Sequence, residues 1–453
     1  MKHTITTRQK ASQFIRILIP ILITQITLSL MTFFDTMMSG HASPADLAGA
    51  AIGISLWIPV QTGLSGVLMG ITPIISQLIG RGAKDKIAFN VMQGIMLSLL
   101  ISLVVIVVGG LSLNALLNLM HLEPKVHYIA HQFLIAIGTG VIPLFGYMVI
   151  KSFIDATGNT RISMFITLTS LPINVALNYL LIFGKLGFPK LGGIGSGVGS
   201  AITYWCIFIL SLVAVHKFKA FKEYAIFRKF YKISIIKWKE LLKIGVPIGF
   251  AIFFETAVFA GVTLLMSRFD TVTIAAHQAA MNFATTLYMI PLSICLSLTI
   301  LVGFETGASR LRDAKQYAKM GVLSAVALSI LTAIFLLLFT KNVAALYSTA
   351  PEVVAMTEQF LIYAIFFQLS DAIATPIQGA LRGYKDVNSP FFLAFIAYWI
   401  IGLPLGYVLA NYTNQGPFGY WVGLISGLGV AAVLLIWRLS YIQRKLSQEV
   451  LPV

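Results

Sequence analysis

Apolar residues along this chain gather into twelve long runs, at approximately 13–38, 48–78, 87–110, 128–150, 162–183, 194–215, 241–267, 274–303, 320–339, 356–381, 391–411 and 418–437. At about 1.5 Å per residue, a helix of some 20 residues crosses the roughly 30 Å hydrocarbon core of a bilayer. The pattern therefore predicts an all-α polytopic membrane protein of twelve transmembrane helices. Several runs exceed 25 residues, which implies tilt or extension beyond the bilayer. The first run follows a basic, polar N-terminus and lacks a small-residue cleavage site, so it reads as a retained span rather than a signal peptide.

Composition agrees: 58% of the 453 residues are hydrophobic and only 11% are charged, well below the roughly 25% of soluble domains. The net charge of +16 would suit a nucleic-acid binder, but the basic residues lie between the apolar runs. The termini and the even-numbered connections hold 27 of the 32 Lys and Arg; the odd-numbered connections hold Lys125, Lys185, Lys190, Arg268 and Lys341. Basic residues stay on the cytoplasmic side, so both termini are expected there, in a multi-pass protein of the cell (inner or plasma) membrane. Cys206 and Cys295 sit inside apolar runs and do not suggest a disulfide framework.

The longest cytoplasmic connection, HKFKAFKEYAIFRKFYKISIIKWKE, divides the chain nearly in half. Its basic and aromatic residues are expected to lie as a juxtamembrane amphipathic segment against anionic lipid. A weak duplication supports the division. At an offset of 227, Pro20 meets Pro247, Ala48 meets Ala275 and Gly80 meets Gly307, while KSFIDATGNTR meets QGALRGYKDVN. Six spans per repeat place both halves in the membrane in the same sense, with a pseudo-twofold axis along its normal. The expected organisation is a six-helix lobe at 1–215, a basic linker at 216–240 and a second six-helix lobe at 241–453, around a central cleft. That is transporter architecture rather than a four-fold pore.

No nucleotide-binding P-loop, zinc-protease pair or nucleophile elbow occurs, so no enzyme chemistry and no cofactor is expected. Uphill transport would have to draw on an ion gradient. The glycine cluster GGIGSGVGS at 192–200 reads as close helix packing.

Three acids fall well inside apolar runs: Asp35, Glu255 and Asp371. A charge at the bilayer centre costs about 3 kcal/mol on insertion scales. No Lys or Arg lies at comparable depth in the sequence, so each acid is suited to hold a proton or a cation; a protonated carboxyl bonding a neighbouring helix is the structural alternative. Asp155 and Glu305 sit beside basic residues at the cytoplasmic face, where salt-bridged anchoring accounts for them. At offset 227, Leu28, Leu144 and Val262 stand opposite Glu255, Asp371 and Asp35, so the frame is duplicated and the acids are not. Asn174 and Asn178, one helical turn apart, could join Asp35 in ligating a cation through oxygens, or could make an interhelical hydrogen bond. Gln278 and Tyr288 could line a cleft or simply pack. His277 and His131 show no partner pattern.

FFDTMMSGHAS at the end of span one, SQLIGRGAKDK after span two and LRGYKDVNSP after span ten resemble the multidrug and toxic compound extrusion (MATE) transporters. With Glu255 and Asp371, the chain resembles their NorM-like branch through all twelve spans. The resemblance implies export of small lipophilic or cationic drugs by two lobes that alternate between inward-open and outward-open states, coupled to H⁺ or Na⁺. It places Glu255 and Asp371 in a cation site of the second lobe, with Na⁺ as one occupant, and Asp35, Asn174 and Asn178 in a site of the first. It puts Asp35, Ser55, Gln278, Tyr288 and Asp371 near bound drug. Membrane lipid and drug are the expected partners of a monomer, with no nucleic acid. Phe367 departs from the tyrosine that NorM-like members carry one turn before the span-ten aspartate, which bears on the choice between Na⁺ and H⁺. The competing function is a flippase for lipid-linked saccharides of related architecture. Its phosphate cargo would call for Arg or Lys in the cavity, where this sequence has acids.

Overall fold

Twelve helices long and apolar enough to cross a membrane follow one another in the computed structural model, which describes residues 3–449. They are α1 (Thr7–Ala42), α2 (Pro44–Gly80), α3 (Asp85–Leu119), α4 (Pro124–Ala156), α5 (Thr160–Phe183) and α6 (Gly193–Lys217), then α7 (Ile235–Met266), α8 (Thr271–Gly307), α9 (Leu311–Tyr347), α10 (Pro351–Gly383), α11 (Asn388–Tyr412) and α12 (Phe418–Gln448). Each takes in one of the twelve apolar runs, and most extend it by several polar residues at the ends. No strand occurs among the described residues.

The helix ends carry the duplication more clearly than the residues do. Pro44–Gly80 and Thr271–Gly307 are related by 227 at both ends, as are Pro124–Ala156 and Pro351–Gly383. The caps match as well. Ser43 Oγ accepts from the Asp46 N–H at 3.1 Å, and 227 residues later Asp270 Oδ1 accepts from the Thr273 N–H at 3.2 Å. Each satisfies one of the donors that a helix N-terminus leaves free. Pro124 and Pro351 open their helices, where a missing N–H costs nothing.

Three helices are interrupted among the described residues: α2, α11 and α9, whose backbone leaves helical geometry at Phe339. In α2 the helix is interrupted at Gly70, and Pro73 follows, which cannot donate to the preceding turn. A Cβ on Gly70 would stand 2.7 Å from the Gly245 Cα, so only glycine allows α7 to approach there. In α11 a π-helical stretch, Ile396–Gly402, precedes Pro404. The Leu403 N–H bonds back to the Tyr398 carbonyl, five residues away. Such wide turns recur at functional sites.

The contacts divide the chain into two compact units. One is Ile19–Gly249; the other takes in the chain from Phe250 onward together with the N-terminal residues through Leu18. In the first unit, the connection after α6 is a four-residue helix, Lys219–Lys222, followed by turns, and it is tied to its own unit at several points. Phe221 and Tyr224 pack their rings against Phe153 at 5.6 and 5.5 Å. The Gln93 amide donates to the Lys232 carbonyl at 2.8 Å and accepts from the Ser234 N–H at 2.9 Å. Bonds between Lys84 and Glu223 add a further tie and hold the Glu223 carboxyl below its usual range.

In the second unit, the start of α1 is fastened to α9. Lys10 is buried and pairs with Asp313 at 2.7 Å, and Thr4 meets the buried Tyr317 hydroxyl at 3.0 Å. The anchoring pairs expected for the cytoplasmic acids are present: Lys151 with Asp155 at 2.6 Å, and Arg310 with Glu305 at 2.5 Å. Both cysteines are free thiols.

Candidate functional site

Each unit holds its own cluster of buried polar groups around an acid. In the first, α1, α5 and α6 meet at Asp35. Asn174 and Asn178 follow one another by one turn on α5 and are fully buried. The Asn178 amide donates to Asp35 Oδ1 at 2.6 Å and to Asn174 Oδ1 at 3.2 Å. Ser200, on α6, donates to Asp35 Oδ2 at 3.0 Å and receives a longer bond of 3.4 Å from Asn174. Both amide protons of Asn178 face acceptors, while its Oδ1 is buried without a partner. Gly199 makes this possible, since a Cβ there would stand 2.5 Å from that oxygen. An unpartnered buried acceptor costs about 1–3 kcal/mol. Beside a carboxylate, it is a donor atom ready for a hard cation or a protonated group.

The structure thus brings Asp35, Asn174 and Asn178 together and adds Ser200. The small-residue pattern of GGIGSGVGS serves the packing read from it, with Gly195 against the Leu181 backbone, and also delivers a hydroxyl to the acid. The sequence signal was the position of Ser200 on the same helix face as Gly193 and Gly197, where α6 turns toward its neighbours.

In the second unit, Asp371 is almost fully buried on α10. Thr375, one turn on, donates to its Oδ1 at 2.6 Å, and its Oδ2 has no partner. Glu255 is half-buried on α7 and forms no hydrogen bond among the described residues. Tyr288 is half-buried on α8, and Tyr398 belongs to the π-helical stretch of α11. Tyr398 is 2% exposed and went unrecognised in the sequence, where only its place before Pro404 sets it apart. Phe367 is buried, edge-on to Phe259 at 5.6 Å and Trp421 at 6.4 Å, so it contributes apolar wall rather than a ligand.

One expectation needs correction. Arg382, counted from the sequence with the cytoplasmic connection after span ten, lies within the last turn of α10 and is 8% exposed. His277 also gains partners: its Nδ1 accepts from the Trp421 indole at 3.1 Å, which leaves Nε2 to donate to Thr263 at 3.2 Å. Ser55 and Gln278 are both exposed, and the Ser55 hydroxyl donates to its own helix at Ala51. No hydrogen bond draws either into an acidic cluster.

Twelve membrane-crossing helices in a duplicated six-helix frame, with an acid set among buried polar side chains in each unit, define a polytopic membrane transporter fold. The MatE family model matches residues 20–180 and again 247–408, so its two copies follow the same duplication. The chain belongs to the MATE family. It is 56% identical over 449 residues to "Probable multidrug resistance protein NorM" of Bacillus subtilis (strain 168), covering 99% of both chains. It is 57% identical over 445 residues to the protein of the same name in Bacillus licheniformis, covering 98% of each. Among solved structures it is similar to the eukaryotic MATE transporter AtDTX14, with a TM-score of 0.85 and 19% identity over 98% of this chain and 99% of that one. It is also similar to the Vibrio cholerae MATE transporter VcmN in the bent form, with a TM-score of 0.87 and 17% identity over 98% and 99% of the two chains. At such identities the likeness shows the fold, and the cargo must be read from site residues.

Proposed function

We propose that this chain is a secondary active multidrug exporter that exchanges lipophilic organic cations for H⁺ or Na⁺ by alternating access. One observation carries the reading: among the described residues, each unit holds a buried oxygen without a partner at or beside an acid, the amide Oδ1 of Asn178 next to Asp35 and Oδ2 of Asp371. Groups of that kind favour a cation or proton that comes and goes. The multidrug-resistance names of the NorM relatives support drug as the cargo. Coupling follows when ion and drug favour different arrangements of the protein, each shifting the equilibrium only by its differential affinity. In this scheme Asp35, with Asn174, Asn178 and Ser200, serves one cation or proton site, and Glu255 with Asp371 serves another. Both termini face the cytoplasm.

The test is extrusion of ethidium by purified protein in liposomes under an imposed H⁺ or Na⁺ gradient. Uphill, gradient-dependent movement supports the reading. A folded protein that moves ethidium under neither gradient overturns it.

A further inference from the structure

Two helices of the second unit each lack one backbone donor, and both gaps border the same small cavity. Pro291 lies inside α8 and Pro376 inside α10. Proline has no N–H, so the carbonyl four residues before it loses its helical partner. Those carbonyls belong to Leu287 and Ala372. Both residues line a cavity of about 10 Å³, with Ser329 and Thr332 of α9 and Gln368 of α10 completing its polar wall. In membrane helices such freed groups are met by neighbouring helices, by Ser or Thr side chains or by ordered water.

The side chains nearby do not meet them. Thr332 spends its proton on the Ser329 carbonyl at 2.9 Å, and the Gln368 amide donates to the Ala284 carbonyl at 2.8 Å. Ser329 is 8% exposed, and its hydroxyl is buried without a partner among the described residues, so it reaches neither freed carbonyl directly. A hydroxyl and two carbonyls left unpaired away from water would each carry a desolvation cost. The cavity has the room of a single water molecule, whose site needs about two to four polar partners. Among the described residues no acidic or basic side chain lines it. A cation there would be uncompensated, whereas water both accepts and donates without charge.

We infer that this cavity binds one ordered water that joins the two proline breaks. The water accepts from Ser329 Oγ and gives its two protons to the carbonyls of Leu287 and Ala372, so one molecule bridges α8, α9 and α10. Gln368 and Ala372 flank Asp371 in the chain, and the bridge therefore supports the turn of α10 that carries the acid. The site is distinct from the proposed cation sites, since it takes an uncharged ligand and uses no carboxylate.

Crystals of the full-length protein, in a map that resolves ordered water, test this. We expect one peak within about 2.7–3.2 Å of Ser329 Oγ and of both carbonyl oxygens. Ser329→Ala should lose that peak. Crystals grown with thallium(I), an electron-dense stand-in for monovalent cations, should show no anomalous signal at the site. A wild-type map without the peak overturns the inference, as does a thallium signal there. A peak that keeps its full height in Ser329→Ala overturns it too. If Ser329→Ala does not fold, the wild-type and thallium maps decide alone. Neither map depends on ethidium movement, so the exchange reading stands or falls separately.

Discussion

The Asn178 amide donates to the Asp35 carboxylate over 2.6 Å, joining α1 to a residue 143 positions later. Because Asn178 spends both amide protons on Asp35 and Asn174, its Oδ1 is left without a partner among the described residues, and the proposed function assigns it to an incoming cation. Ser200 holds the other carboxylate oxygen. We expect Asp35→Asn to abolish ethidium gradients while the protein remains folded. Ser200→Ala should weaken the response to the coupling cation by roughly tenfold, the scale of one hydrogen bond to a charged group. Wild-type pH and Na⁺ dependence in Asp35→Asn would remove Asp35 from coupling.

The orientation rests on basic residues, and exposure now selects the best reporters. Leu186, between α5 and α6, is 88% exposed, and Asn414, between α11 and α12, is exposed too. Single cysteines at these positions, in a background lacking Cys206 and Cys295, should react with an impermeant thiol reagent applied to intact cells. Cysteines at Phe230, which is 99% exposed, and at Lys222 should react only after permeabilisation. The reverse pattern would invert the map. Ser43 is a poorer reporter because its hydroxyl caps α2.

The two repeat-related caps differ in their response to acid. Bonds from the Thr273 hydroxyl and backbone N–H hold the Asp270 carboxyl below its usual range. A depressed folded-state value means the stabilisation is full above the unfolded pKa, about 3.9, and fades as pH falls through the lower folded value. Asp270→Ser, which copies the Ser43 cap, should therefore unfold at a lower temperature than wild type near pH 6. The gap should close as the pH falls through the lowered folded-state value. Thermal unfolding in detergent reads this directly, and a gap that is constant with pH would show that ionised Asp270 contributes nothing.

Much of this architecture was legible because the solvent writes it into the chain. Lipid excludes polar residues from long runs, so the twelve helices and the three misplaced acids stand out without any alignment. Asn174 and Asn178 were legible for the same reason, being amides at helical spacing in an apolar run. What stayed hidden depends on partners far away in sequence. His277 looks idle until Trp421, 144 residues on, is brought to it. Ser200 was masked by the glycines around it. Arg382 adjoins Gly383 and Lys385, so composition assigned it to a loop, whereas the helix runs on through Gly383 and buries it. Tyr398 depends on a π-helical turn that no apolar period encodes.

Glu255 of α7 and Asp371 of α10 belong to the same unit. Two carboxylates sharing a low-dielectric site resist being ionised and unaccompanied together. In the proposed exchange they share a proton, hold Na⁺ or accompany a cationic drug, and these occupants exclude one another by charge. Binding of ethidium to purified wild-type protein should therefore weaken as Na⁺ or H⁺ rises. Glu255→Gln removes one charge and leaves the pair unable to hold drug and exchange it for a cation in turn. We expect it and Asp371→Asn each to lose uphill efflux, with some ethidium binding surviving. The fall in ethidium affinity with added cation should flatten in both. Phe367→Tyr tests the same site in the opposite sense. It offers a hydroxyl one turn before Asp371 and should strengthen the Na⁺ response relative to H⁺. The measurement is ethidium binding titrated with Na⁺ at several pH values. If wild type and Glu255→Gln show the same cation-induced loss of affinity, the glutamate of α7 is structural and coupling lies elsewhere.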